Sequence, residues 1–495
     1  MRMKINSKLT LETMRRRIGR VFELAAPKIL AIEKSWNPAQ GTPVFTVQGK
    51  YTSRGWTEWT QGFQFGSALL QYEATGEKRF LEFGRERTVK HMATHVSHVG
   101  VHDHGFNNIS TYGNLWRLMR EGKIPFNQTE KDFYELALKV SGAVQASRWT
   151  SLPDGLGFIY SFNGPHSLFV DTVRSLRVLA VAHQLGHVLM GERDRKISLL
   201  DRLIQHAAAT ARYNIWYGTN RDAYDLRGRT SHESIFNLND GSYRCPSSQQ
   251  GYSPFSTWTR GLAWAILGFA EQLEFLQSLA PSEFAPPTSS SGRLPRRRRM
   301  KAGKEAPISS SLPGGILPCT KKQTLALFLL AAEATAEFYM ENSCADGIPM
   351  WDTGAPNLHR LGDYRARNAD PFNAWEPVDS SAAAIAAQGF LRLGRYLRKA
   401  GRTADGSHYW QAGLTIAARL MEDPYLSTSA GHQGLLLHSV YHRPNGWDYI
   451  AKDQRVPNGE SSMWGDYHLL ELALLLWRES RGGAYLTYFD AGSPI

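Results

Sequence analysis

Cysteine is scarce in this chain: three occur in 495 residues, Cys245, Cys319 and Cys344. Their spacing matches no disulfide framework and no cysteine-built zinc module, which favours a reducing compartment. Long hydrophobic runs are also missing. No stretch approaches a membrane-spanning length, and the basic segment from Met1 to Gly19 lacks the apolar centre of a signal peptide. The sequence therefore reads as a cytoplasmic protein with no membrane partner. Strand signals are few and short, Phe158-Ile159-Tyr160 and Leu435-Leu436-Leu437 among them, and no repeat shows at the level of residues.

What is present is ordinary globular material with two biases. Hydrophobic residues at 42% and charged residues at 21% are enough to build a sizeable core. The first bias is aromatic. Fourteen Trp can either fill a large core or line a groove for sugars and other flat ligands. The second is a net charge of +12, which invites a nucleic-acid reading. Its distribution argues against one: Arg293, Arg296, Arg297, Arg298, Arg299, Lys301 and Lys304, opposed only by Glu305, supply about half of the excess in one short segment.

Apolar residues return at three- and four-residue steps in 11–34, 64–76, 80–96, 110–121, 130–148, 169–190, 197–216, 257–279, 322–341, 380–399, 406–422 and 462–480. This periodicity predicts about twelve helices. Between them short turns alternate with long polar, aromatic-rich loops at 97–109, 149–168, 218–256, 342–379 and 424–461, and long loops in compact domains are usually functional. Helix pairs with one set of long loops predict an all-α toroid or solenoid spanning 1–495 as one domain, taken as monomeric or homodimeric. Residues 280–318, rich in Pro, Ser and Arg, read as an inserted loop or disordered excursion, because helices of the same character resume beyond them.

Several residues invite chemistry. Asp379-Ser380-Ser381 opens a run of small helix-forming residues, so its polar groups either cap that helix or clamp an anion at its start. Asp103 lies in His102-Asp103-His104-Gly105-Phe106, where Gly105 is expected to permit an unusual backbone, and Asp171 stands at the start of an apolar helical run. Taken alone, each Asp reads as a helix cap more readily than as a catalyst. His91, His95 and His98, and again His183 and His187, have the spacing of helical metal ligands, but no Glu follows the first His as in zinc proteases. Solvated or core histidines are the plainer account, and no metal or other cofactor is expected.

The order of motifs resembles the unsaturated glucuronyl hydrolases of glycoside hydrolase family 88 over most of the chain. The residues that carry it are Trp59-Thr60-Gln61-Gly62-Phe63, the His102-Asp103 loop, Val170-Asp171-Thr172, Gln250-Gly251-Tyr252-Ser253, Trp258-Thr259-Arg260-Gly261 with Ala263-Trp264, Trp351-Asp352, Asp379 to Ala387, and Trp464-Gly465-Asp466-Tyr467. The resemblance implies an (α/α)6 barrel with its long loops on one face. It also implies an oligosaccharide substrate, left by polysaccharide lyases, that ends in a uronic acid with a C4=C5 double bond. Such enzymes hydrate this vinyl ether. A carboxylic acid protonates C4, water activated by a carboxylate adds at C5, the ring opens and the aglycone leaves.

By the same resemblance, Asp171 is the proton donor and general base, and Asp103 orients the substrate and raises the pKa of Asp171. Trp59, His102, His232, Gln250, Arg260 and Trp264 are implied to bind sugar, with Arg260 on the uronate carboxylate and Trp59 and Trp264 stacking on ring faces. Ser380 and Ser381 are the implied anion clamp, while Trp464 and Asp466 brace the barrel. Alternatives are an unsaturated rhamnogalacturonyl hydrolase, a catalytically impaired carbohydrate-binding toroid, or a metal-dependent hydrolase. Val173-Arg174-Ser175, Gln64, Arg227-Gly228-Arg229 and Pro246 depart from the family pattern, and these changes are expected on the rim that meets the saccharide.

Overall fold

The computed structural model describes residues 3–55, 58–284 and 320–489. The Arg-rich cluster, Cys319 and most of the 280–318 segment therefore lie outside the described residues; Pro281–Phe284 is a single 3-10 turn.

Six long helices form an outer layer: Leu11–Ser35, Lys78–His91, Gln128–Ser147, Leu199–Tyr213, Lys321–Asn342 and Thr403–Leu420. Side-chain oxygens start several of them. Thr10 and Thr13 cap each other reciprocally, and Asn127, Ser198 and Thr320 each accept an N–H of their helix's first turn. Six inner units alternate with these in sequence. They are Gln61–Thr75; His104–Asn108 running through a π turn into Asn114–Arg120; Thr172–Ser175 with Arg177–Gln184; Thr259–Ser278; Ser380–Lys399; and Met463–Ser480. Each inner unit packs on the next, and Met463–Ser480 packs on both Gln61–Thr75 and Leu11–Ser35, closing the ring. The fold is an α/α barrel. Among the described residues no helix is long and apolar enough to cross a membrane.

Inner helices are apolar nearly all round because they have neighbours on every side. Close approach demands small residues there: a Cβ on Gly389 would stand 2.7 Å from Ile266 Cγ2 and 2.8 Å from the Leu267 nitrogen. The long connections run from each outer helix to the following inner one, so all six inner helices begin at the end where those connections gather. That end carries the site.

The structure departs from the sequence-based expectations in places with a clear cause. The 169–190 window is split: Ser167–Phe169 is a strand paired with Glu233–Phe236, and Val188–Met190 forms a hairpin with Lys196–Ser198. Apolar period alone does not separate short buried strands from helix. The strand Tyr243–Ser247 lies within what reads as a loop, and the hairpin of Thr42–Val47 with Lys50–Arg54 falls where the periodicity predicts no element. His104–Asn108 is helical, not loop, and Leu435–Leu437 contributes only an isolated bridge from Leu436 to Leu426.

Candidate active site

Asp103 and Asp171 are the residues immediately before two adjacent inner helices, and local structure fixes each. Phe169 pairs with Glu233, and the Val170 N–H donates to the His232 carbonyl, which brings His232 beside the Asp171 turn. On the neighbouring helix, the carbonyl of His102 accepts from Gln145 Nε2 at 2.7 Å and from Ser175 Oγ at 2.8 Å. Ser175 Oγ also accepts the Gly105 N–H, so this serine ties the two helix starts together. Gly105 serves this approach and has no unusual backbone of its own. Its Cβ would collide with the Ser175 carbonyl.

The two carboxylates face one cavity of about 290 Å3 whose walls include Trp59, His102, Phe162, Phe169, Gln250, Trp258, Arg260 and Trp264. His102 stands between the carboxylates. Its Nε2 is 3.7 Å from Asp103 Oδ1 and 3.6 Å from Asp171 Oδ1, ion-pair contacts that are longer than hydrogen bonds. Burial disfavours a charged His102, but the adjacent carboxylates outweigh it and hold its pKa above the ordinary histidine range. Burial likewise raises Asp103, opposed by His102 and helped by the Asp171 charge. Burial alone would raise Asp171 too. Its contact with His102 outweighs that and holds it below the usual carboxylate range. The shared surroundings therefore push Asp103 up and hold Asp171 down, whereas the resemblance implied a raised Asp171.

The other expected site residues divide into two groups. Trp59 lines the cavity, stacked on Trp464 at 5.1 Å, and Trp264 lines it while packed against Phe106 and His468. His232 Nδ1 accepts the N–H groups of Gln249 and Gln250, which puts its proton on Nε2; burial lowers its pKa to about 4, so the ring is neutral. Gln250 Oε1 accepts from Arg260 at 2.7 Å, and because arginine cannot accept, the amide Nε2 is the end left for other partners.

Arg260 itself holds several protein partners. Its guanidinium donates to Asp379, Gln250 and the carbonyls of Val440 and Tyr441, and it lies between the Trp258 and Trp464 rings. These bonds engage its two terminal nitrogens, so it orients Gln250 while still lining the cavity. Ser380 and Ser381 do not reach the cavity: both are fully buried, with Ser380 Oγ donating to the Leu437 carbonyl and Ser381 Oγ to Asp379. Asp379 is the cap, accepting the Ser381 and Ala382 N–H groups. Asp466 binds the Leu435 and Leu436 N–H groups and the Tyr51 hydroxyl, which braces the last inner helix.

Glu58, Phe162, Phe169 and Trp258 also line the cavity and were not assigned to the site from the sequence. Glu58 adjoins the Trp59 motif, and burial raises its pKa. Of the histidines at helical spacing, His95 bonds the Gln61 and Asn107 amides and His183 pairs with Glu283, while nearby His104 bonds Ser141 and the His98 carbonyl. Among the described residues no group of three or more His, Cys, Asp or Glu is placed to hold a metal.

The unusual residues do not lie on the cavity rim either. Arg174 is fully buried and pairs with Glu271 at 2.7 Å and Glu471 at 3.0 Å. Gln64 sits in a separate small cavity beside Lys28 and Asp466. Arg229 pairs with Asp222 and stacks on Trp216, Arg227 pairs with Glu337 at the surface, and Pro246 is part of a strand.

No family model matches the chain. Curated proteins do. An unsaturated glucuronyl hydrolase of Formosa agariphila is 22% identical over 84% of this chain and 78% of its own length, and one of Bacillus sp. strain GL1 is 24% identical over 88% and 90%. The chain is a relative of the unsaturated glucuronyl hydrolases. The crystal structure of the Bacillus sp. GL1 unsaturated glucuronyl hydrolase superposes with a TM-score of 0.65 at 22% identity, covering 94% of this chain and 96% of that one, so these relatives share the fold.

Proposed function

We propose that this protein is an unsaturated glucuronyl hydrolase, a glycosidase that removes the unsaturated uronic acid from the non-reducing end of lyase-generated oligosaccharides. The observation that carries the proposal is the meeting of Asp103 and Asp171 on either side of His102 in an aromatic-walled cavity. Relatives similar over most of the chain carry that name, and the solved Bacillus relative is described as responsible for the degradation of glycosaminoglycan, which is the substrate class we carry over. A cytoplasmic location belongs to the same proposal, supported by Cys245 and Cys344 being unpaired.

In this reading Asp171 protonates C4, positive charge grows at C5 and the ring oxygen, and the ionised Asp171 then takes a proton from the water that adds at C5. The Asp171 carboxylate left by that transfer supplies negative charge beside it, and Asp103 and Glu58 line the same space. Gln250 Nε2 and His232 Nε2–H are the neutral donors we assign to orienting the uronate. Asp171 is ionised at rest and so must gain a proton before the first step. The substrate's own carboxylate provides the cause: a negative charge entering the cavity raises the carboxylates beside it.

The direct test is loss of the ultraviolet absorbance of the conjugated double bond when unsaturated glycosaminoglycan disaccharides are added. Persistent absorbance across such a panel would remove the proposal. Titration calorimetry in buffers of different ionisation enthalpy should also show net proton uptake on binding, and no uptake would refute the charging scheme.

A further inference from the structure

A second cavity, of about 380 Å3, lies in the connection between Lys321–Asn342 and Ser380–Lys399 and shares no lining residue with the first. Its character is basic and aromatic. The Arg360 guanidinium lies 4.7 Å from the Trp375 ring centre, and the same ring is approached by Arg455 at 5.9 Å. Arg367, Tyr364 and Asn368 also line it, and Asp370 is the one acidic residue among the lining groups. Arg367 spends one N–H on the Leu361 carbonyl, and Arg360 and Arg367 are both exposed, so other donors of the two remain in reach of a ligand.

Such a set suits a saccharide that carries anionic groups. An indole offers a flat face to the apolar side of a sugar ring, and guanidinium groups grip carboxylate or sulfate through paired hydrogen bonds. The position matters as much as the chemistry. Met350, which lines this second cavity, gives its carbonyl to Thr259 Oγ1 at the start of the helix carrying Arg260 and Trp264. The next residue, Trp351, packs with Trp258, a wall of the first cavity. One short segment separates the two spaces.

We propose that this second cavity is a saccharide-binding site for an anionic sugar unit, uronate or sulfated, of an oligosaccharide. The proposal rests on the reading above only for the class of ligand. It predicts that longer anionic chains bind this protein through contacts that a disaccharide does not use.

The test titrates a saturated, sulfated glycosaminoglycan tetrasaccharide, which lacks the double bond and so cannot be consumed, into the full chain and into its Arg360→Gln and Trp375→Ala variants. Tetrasaccharide affinity should fall about tenfold in each variant, as the loss of one charge-assisted or stacking contact implies, and binding to the unaltered protein should weaken with added salt. Both variants should still consume unsaturated disaccharide at the unaltered rate, which also shows that they are folded. Unchanged tetrasaccharide affinity in both variants, or no binding by the unaltered protein, would overturn the proposal. Tetrasaccharide binding sensitive to Arg360, in a protein that consumes no unsaturated disaccharide, would uphold this site and remove the hydrolase reading instead.

Discussion

His102 decides how the two acids divide their work, since one imidazole touches both carboxylates. Changing Asp171 to Asn keeps the shape but removes the transferable proton. Activity should fall by about 10²–10⁴-fold with a cooperative thermal transition retained, and near-normal turnover would reject Asp171 as the acid. Replacing His102 with Asn tests the charge scheme. Asp171 then loses its cationic partner and its pKa rises, so the alkaline limb of the kcat/KM profile, where the required proton is lost, should move to higher pH. The signs for stability follow from the same pair. The lowered Asp171 contributes stability that is present above its unfolded pKa and is lost as pH falls through the folded value. The raised His102 contributes stability that is complete below its unfolded pKa, about 6.5, and is lost as pH rises through the folded value. Denaturant midpoints measured across pH should show both losses in the unaltered protein and neither from this pair in His102→Asn. Arg260 and Ser380 teach a complementary lesson: their types suit anions, but their donors meet residues remote in sequence, which only packing shows, while Ser381 donates to its near neighbour Asp379.

Helix starts do the positioning at the scale of elements. Asp103 and Asp171 precede inner helices whose first turns touch, and Ser175 holds that contact through the Gly105 N–H and the His102 carbonyl. Gly105→Ala drives a methyl group into the Ser175 backbone, so we expect about 1–3 kcal/mol of destabilisation together with reduced turnover per folded molecule. Gly389→Ala creates a similar clash against Ile266 and Leu267, within the ring and away from the cavity. It should lower the melting temperature and leave the activity of the folded fraction unchanged. Equal loss of turnover in the two variants would show that the helix starts have no special role. Long helices were legible because their apolar residues recur at helical spacing and several begin with a side-chain cap. The three-residue strands were not, because so short a stretch carries no period and its partner lies far along the chain.

The whole molecule is a closed ring with a buried ionic cluster inside it. Arg174, Arg177 and Arg392 meet Glu271 and Glu471 there, and burial pushes Glu271 up to about 7. Arg174 was expected on the rim, yet it is fully buried and paired within this cluster. Arg174→Met leaves Glu271 and Glu471 short of a partner, and we expect a loss of about 3–5 kcal/mol by equilibrium unfolding. A loss below about 1 kcal/mol would mean that the remaining arginines compensate, which the shared contacts do not predict. The sequence by itself determined the alternation of helices, the long connections and the small residues that let inner helices touch, because those follow from local periodicity, capping and side-chain size. It also presented Asp103, Asp171 and the aromatic motifs as residues worth watching. Only the tertiary structure decided that His102 bridges the two acids, that Glu58 and Trp258 join them, that Arg260 holds Gln250 and Asp379, and that the two serines are committed elsewhere. Charge state and hydrogen-bond commitment depend on which groups burial brings together, and that is set when the ring closes.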